Sequence, residues 1–184
     1  MTQPSGYYSA LLPDEECLFI QYNVCADWEA MPMSDFAAAV DSLFAENVYG
    51  KVIIDLRYNS GGDSSVWWPL LDVLERRQEE QGFPVYTLIG ADTFSSGIID
   101  ALESKERLSA TLVGTPTGGN VNGYGELAFF DLPHMPISVC YSTQYFELVP
   151  GYEGDSLLPD MIVESTLADY LNGRDAVAEA VLAL

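Results

Sequence analysis

Short, continuously apolar runs alternate along the first two thirds of the chain with stretches whose apolar residues recur every three or four positions. Such runs are typical of strands buried on both faces of a sheet, and such stretches are typical of helices that cover it. The predicted strands span residues 16–25, 51–56, 84–89 and 111–114, and the predicted helices span 35–47, 64 onwards and 94–107. We expect Ser34 to cap the first of these helices. This alternation predicts an α/β fold with right-handed crossovers.

The last third of the chain has a different pattern. A glycine-rich loop is predicted at residues 115–126, and the three segments ELAFFDL, ISVCYST and QYFEL then alternate in the manner of antiparallel strands. An edge strand is predicted at 159–163, and short helices are predicted from Leu167 and from Arg174. The fold class is therefore α/β with additional antiparallel strands.

Length and composition indicate a single folded unit. The chain has 184 residues, of which 48% are hydrophobic, enough for one core. Residues 1–15 read as an extended N-terminal segment, and residues 16–184 read as one core domain. No apolar run approaches the ~18 residues of a membrane span, and the N-terminus has neither the basic nor the apolar region of a signal peptide.

The charge of the chain limits its partners. There are 28 acidic residues against seven Lys and Arg, which gives a net charge of −21. A surface of this sign repels phosphate backbones, so nucleic-acid binding is excluded, and it repels anionic lipids as well. Oligomeric state does not follow from the sequence.

Three cysteines and one histidine give no basis for a zinc cluster, and no other metal or cofactor motif is present. Cys17 and Cys140 lie in apolar, strand-like segments, so we expect both to be free, buried thiols. A disulfide between Cys17 and Cys25 stays open at this stage.

Ser95 is the candidate nucleophile. It follows a strand through a short loop and stands where a helix begins, so that free backbone N–H groups lie beside it. The N–H of Ser96 would bind the oxyanion of an acyl-transfer reaction, and Gly61 or Gly62 would bring a second N–H close. Three other interpretations stay open: Ser95 or Ser96 caps the helix, the glycine pair is an ordinary turn, or Ser96 is itself the nucleophile.

Four segments stand in a fixed order along the chain: VIIDLRYNSGG at 52–62, TFSSGIIDALE at 93–103, LVGTPTGGN at 112–120 and LLPDMIV at 157–163. This ordered set resembles the C-terminal processing, or tail-specific, serine peptidases and the related tricorn core, over roughly residues 16–184. The resemblance implies a ClpP/crotonase-like spiral of ββα units, hydrolysis of peptide bonds in peptide or unfolded protein substrates, and Ser95 as the nucleophile. Members of the family usually work outside the cytoplasm or in the cell envelope.

The general base departs from the family pattern. Most members that this chain resembles use a lysine in a Gly-Lys-Gly segment, and the matching segment here is Gly118-Gly119-Asn120. The amide of Asn120 cannot accept a proton at neutral pH. Lys105 is the last lysine, and it lies about 15 Å along the serine helix from Ser95.

The tricorn-like branch uses serine, histidine and glutamate instead. The resemblance places Glu153 at the glutamate position, with Glu126 as a second candidate; a solvated loop carboxylate is the alternative for Glu153. The only histidine, His134, lies between two prolines and is expected in a surface hairpin loop.

Two functions therefore remain. The first is a serine peptidase core that lacks its general base. The second is a non-catalytic module of the same fold that binds a peptide or an apolar ligand beside Trp67 and Trp68.

Overall fold

A six-stranded sheet forms the centre of the protein. The computed structural model describes residues 6–12 and 16–184. In chain order the strands are β1 (Tyr7–Leu12), β2 (Cys17–Tyr22), β3 (Lys51–Asp55), β4 (Val85–Ile89), β5 (Thr111–Gly114), β6 (Asn122–Asp131), β7 (Ser138–Glu147) and β8 (Met161–Ile162). The central sheet has the order β1-β2-β3-β4-β5-β8, and β6 pairs with β7 alone. Only the β1–β2 pair of the central sheet is antiparallel.

Helices cover both faces of this sheet. They are α1 (Met33–Glu46), α2 (Trp68–Gln81), α3 (Ser96–Leu108), α4 (Leu167–Leu171) and α5 (Ala176–Leu182), and a 3₁₀ turn at Ser64–Trp67 precedes α2. Alternate residues of each strand point to opposite faces. Ile54 accordingly packs in the cluster formed with α1, α2 and α3, and Ile53 packs against Val177 and Val181 of α5. The structure confirms the α/β class with additional antiparallel strands.

The first strand was not predicted as part of the sheet. Tyr7–Leu12, within the expected extended segment, pairs in register with β2 from Tyr7↔Tyr22 to Leu12↔Cys17. Tyr7 is 2% exposed and belongs to the main core. The rest of the expected segment, residues 1–5 and 13–15, lies outside the described residues.

The expected cap of α1 is wrong. The helix begins at Met33 with Pro32 at the N-cap position, two residues earlier than a cap at Ser34 requires. The backbone N–H of Met33 donates instead to the Asp27 carboxylate at 2.7 Å. A side chain from the preceding loop thus satisfies a free N–H of the first turn.

The antiparallel region is one long hairpin. Its ladder begins at Asn122↔Glu147 and ends at Asp131↔Ser138, so the end of the predicted glycine-rich loop is part of β6. Cys140 is exposed on this hairpin, which corrects the expectation that it is buried. Cys17 and Cys25 are both buried thiols, and they form no disulfide. Of the described helices, none is both long enough and apolar enough to cross a bilayer.

Candidate active site

Ser95 stands at the end of the loop that joins β4 to α3. Thr93 closes this loop, because its hydroxyl accepts from Gly90 N–H and donates to the Leu56 carbonyl, each at 2.9 Å. Ser95 has φ 50° and ψ −124° and an exposed side chain. It occupies the N-cap position of α3, yet its hydroxyl makes no capping hydrogen bond. A left-handed backbone at a non-glycine residue is strained and is concentrated at functional sites.

The turn that contains Gly61 and Gly62 packs directly against Ser95. A Cβ atom on Gly61 would lie 2.7 Å from the Cβ of Ser95, and one on Gly97 would lie 2.7 Å from the Asn59 carbonyl oxygen. The backbone N–H of Phe94 donates to that same carbonyl at 2.9 Å. Because Gly61 and Gly97 have no side chain, the Gly61–Gly62 turn can approach the start of α3 this closely.

The N–H groups expected to bind an oxyanion are not equally available. The Gly61 N–H donates to the Asn59 side-chain oxygen at 2.9 Å, so of the two alternatives, Gly61 or Gly62, the first has its N–H engaged. Among the described residues, none accepts a hydrogen bond from the N–H of Gly62 or of Ser96. The first belongs to the turn that packs against Ser95 through Gly61, and the second belongs to the residue that follows Ser95.

Ser96 has a structural contact of its own. Its hydroxyl is buried and donates to the Gly62 carbonyl at 2.6 Å. A hydroxyl used in this way ties the helix to the turn and is not presented to solvent. The exposed serine of the pair is Ser95.

A loop residue after β2 holds the turn from the other side. The N–H of Cys25 donates to Gly61 O at 3.0 Å, and its carbonyl accepts from Asp63 N–H at 2.7 Å. A Cβ atom on Gly62 would lie 2.1 Å from that carbonyl oxygen. The turn is thus enclosed between Cys25 and the start of α3.

Behind the turn lies a buried polar cluster that the sequence interpretation missed. Cys25 Sγ is 3.0 Å from Asp100 Oδ2 and 3.3 Å from Asn59 Oδ1. Burial, reinforced by the charge of Glu103, raises the pKa of Asp100 to about 8, although its contact with Cys25 works in the opposite direction. A signal was available in the sequence, since Ser96, Asp100 and Ser104 recur every four residues and share the buried face of α3.

The segment expected to carry a lysine base does pass beside the serine loop. Gly118 N–H donates to Thr93 O at 3.1 Å, and a Cβ on Gly119 would lie 2.6 Å from the Phe94 ring. Asn120 follows with an exposed side chain. Lys105 is engaged in an ion pair with Asp160. Within the described part of the chain, no side chain hydrogen-bonds to the Ser95 hydroxyl.

Among the described residues, the remaining candidates make no hydrogen bond with Ser95. Glu153 is exposed in the loop between β7 and β8, and its carboxylate makes no hydrogen bond or ion pair with any described residue. Glu126 is exposed on β6. His134 is exposed in the turn between β6 and β7, as expected; at ~3.3 Å per residue it lies about 30 Å from the start of the hairpin at Asn122.

No family model and no curated protein sequence matches the chain. Solved structures do match it in three dimensions. A candidate peptidase from Parabacteroides merdae ATCC 43184 has a TM-score of 0.65 and 17% identity, over 99% of this chain and 65% of its own. The tricorn protease has a TM-score of 0.60 and 17% identity, over 91% of this chain and 17% of its own. The photosystem II D1 C-terminal processing protease has a TM-score of 0.55 and 12% identity, over 89% of this chain and 49% of its own.

The chain has the fold of the C-terminal processing peptidases. Sequence identities of 12% to 17% show a similarity of fold alone. The chain spans less than two thirds of the length of each of these three neighbours.

Proposed function

We propose that the chain is the core of a serine peptidase in which Ser95 attacks peptide bonds. The observation that carries this proposal is the backbone of Ser95, at φ 50° and ψ −124°, together with a hydroxyl that is exposed and caps nothing. A serine at a helix N-cap ordinarily accepts a hydrogen bond from the first turn. Here the chain keeps a conformation that costs roughly 1–3 kcal/mol and leaves the hydroxyl free.

The reaction would be an acyl transfer. Ser95 Oγ bonds to the carbonyl carbon and gives its proton to a base, while the carbonyl π electrons move to the oxygen. The N–H groups of Gly62 and Ser96 stabilise that oxyanion. Its collapse breaks the C–N bond and expels the amine, which takes the proton, and water then hydrolyses the ester on Ser95.

The general base is supplied from outside the residues that surround Ser95 here. Asn120 stands in the lysine position and cannot serve. The free, exposed carboxylate of Glu153 suits the role of orienting an imidazole brought by another segment or partner. Since a positioned base contributes roughly 10²–10⁴-fold, residues 1–184 alone should turn over unfolded protein substrates very slowly.

The alternative, a binding module with an apolar ligand beside two tryptophans, has less support. Trp67 is completely buried, stacks on Tyr22 at 6.3 Å and donates its indole N–H to Glu103 at 2.7 Å. Only Trp68 is open to solvent, at 48% exposure. A single exposed ring offers little enclosure for a ligand.

The test is labelling with a fluorophosphonate probe, read by intact mass and peptide mapping. We expect one adduct on Ser95, none in Ser95→Ala, and an unchanged adduct in Ser42→Ala, a serine on the exposed face of α1. Labelling that persists in Ser95→Ala would overturn the nucleophile assignment, and saturable apolar-ligand binding without labelling would favour the module. Rapid proteolysis lost in His134→Ala would overturn the proposal that the base is missing.

A further inference from the structure

A buried carboxyl group is linked to the turn beside Ser95 by a short series of contacts. Asp100 is 0% exposed, and its Oδ2 lies 3.0 Å from the sulfur of Cys25. That sulfur lies 3.3 Å from Asn59 Oδ1, which in turn accepts from the Gly61 N–H at 2.9 Å. The series therefore runs from the interior of the protein to the turn that packs on Ser95.

The hydrogen bonds that this series can form depend on the protonation state of Asp100. A thiol has one hydrogen, yet Cys25 Sγ has oxygen atoms on two sides. If Asp100 is a neutral acid, its O–H donates to the sulfur, and the thiol donates to Asn59 Oδ1. If Asp100 is ionised, the carboxylate takes the thiol hydrogen, because a charged acceptor is the stronger one. Asn59 Oδ1 is then left facing a sulfur lone pair.

The amide of Asn59 has a way to respond. Among the described residues, Asn59 Nδ2 and Asp100 Oδ1 are buried atoms without a hydrogen-bond partner. A negative carboxylate attracts the amide NH₂ group, and rotation of the amide toward it removes Oδ1 from the Gly61 N–H. An unpaired buried N–H costs about 1–3 kcal/mol, so the turn would lose its present geometry.

We propose that Asp100 is a positioning residue, which as the neutral acid acts through Cys25 and Asn59 to hold the Gly61–Gly62 turn against Ser95. The inference rests on the proposed function of Ser95. Asp100 does not touch the substrate; it fixes the turn that carries the Gly62 N–H.

Three other titratable groups face Asp100. Burial raises the pKa of the Cys25 thiol and of the Tyr22 hydroxyl, so both stay neutral throughout the working range. Glu103, on the same helix, is a negative charge that raises the pKa of Asp100 further, after the larger effect of burial. With the Asp100 pKa raised to about 8, this carboxyl is the member of the cluster that changes charge in mildly alkaline solution.

The experiment is the rate of fluorophosphonate labelling of the full chain between pH 6 and 10, for the native protein and Asp100→Asn. Asparagine keeps the shape of the side chain and a donor toward Cys25 but cannot ionise. We expect the native rate, divided by the Asp100→Asn rate at the same pH, to fall about tenfold between pH 7 and pH 9. Glu103→Gln should move this fall to lower pH. Asp131→Asn, an exposed aspartate on the hairpin, should leave the native profile unchanged.

Parallel profiles for the native protein and Asp100→Asn would overturn the inference while leaving the nucleophile in place. If Ser95 is not labelled at any pH, the proposed function fails, and hydrogen exchange of the Gly61 amide still decides the positioning. Faster exchange in the native protein than in Asp100→Asn above pH 8 supports it, and equal exchange refutes it. Should Asp100→Asn not fold, Cys25→Ala, which interrupts the same series, must label slowly even at pH 7.

Discussion

The turn beside Ser95 and the β6–β7 hairpin each contain two closely spaced glycines, Gly61 and Gly62 in the turn and Gly123 and Gly125 in the hairpin, and they lie in opposite environments. In the turn, added side-chain atoms on Gly61 or Gly62 would come within 2.7 Å or 2.1 Å of neighbouring atoms. On the hairpin, the consecutive residues Phe129 and Phe130 are 65% and 50% exposed. Since consecutive strand residues point to opposite faces, both faces of the hairpin are open.

The backbones of the hairpin and of the turn are held in place in different ways. The hairpin is held by its own ladder and by cross-strand ring pairs such as Tyr124 with Tyr145, whose centroids are 5.1 Å apart. Pairs of this kind contribute roughly 0.2–1 kcal/mol each. The turn is held by crowding from Cys25 on one side and from the start of α3 on the other, so it tolerates no added atom. Identical substitutions in the two regions should therefore have very different effects.

The largest difference is expected for glycine. Gly62→Ala should lower the free energy of unfolding by roughly 2–6 kcal/mol, because the new Cβ meets the Cys25 carbonyl and φ is 135°. Gly123→Ala on β6 should change it by less than about 1 kcal/mol, since the nearest atom to its Cβ would be 3.9 Å away. Urea unfolding of both variants measures the difference. Equal effects would mean that the turn is not crowded as described.

A second difference is expected for isoleucine. Ile54→Ala on β3 removes a side chain that is 0% exposed and should cost roughly 2–5 kcal/mol. Ile137→Ala, beside the hairpin turn and 45% exposed, should cost less than about 1 kcal/mol. Thermal and urea unfolding of the matched pair give the two values. A large loss in Ile137→Ala would indicate that the hairpin is covered in solution, for instance by a second copy of the chain.

The sequence predicted the region around Ser95 better than the hairpin. The strands and helices that carry Ser95 and the glycine turn have unambiguous periodicity, and each strand leads directly into its loop. The exposure of β6 and β7 could not be predicted, because alternation looks the same whether the second face of a ribbon is covered or open. Residues 7–12 were missed as a strand because this apolar segment has only six residues and lies between Pro4 and Pro13 in a stretch that is otherwise polar.

Within the candidate site, the position of Ser95 was predictable and the hydrogen bonds around it were not. The proximity of the glycine turn follows from two parallel strands that end at one edge of the sheet. The loss of the Gly61 N–H to the Asn59 side chain depends on a rotamer, which no sequence pattern specifies. The role of Ser95 and that of Glu153 remain predictions.

The smallest effect is expected at two residues with a strained backbone, one beside the turn and one on the hairpin. Ser95 has φ 50°, and Glu126, on the hairpin, has φ 52°. Glycine adopts this conformation without penalty, so Ser95→Gly and Glu126→Gly should each raise the free energy of unfolding by about 1 kcal/mol relative to the corresponding alanine variant. Comparing glycine with alanine at one position cancels the loss of the original side chain. If the gain is absent at Ser95 and present at Glu126, neighbouring contacts rather than its own backbone set the conformation of the serine.

Fluorophosphonate labelling of the same four proteins separates strain from chemistry: both Ser95 variants should be unlabelled, and both Glu126 variants should be labelled as the native chain is. Loss of labelling in Glu126→Gly would instead assign this hairpin residue to the site.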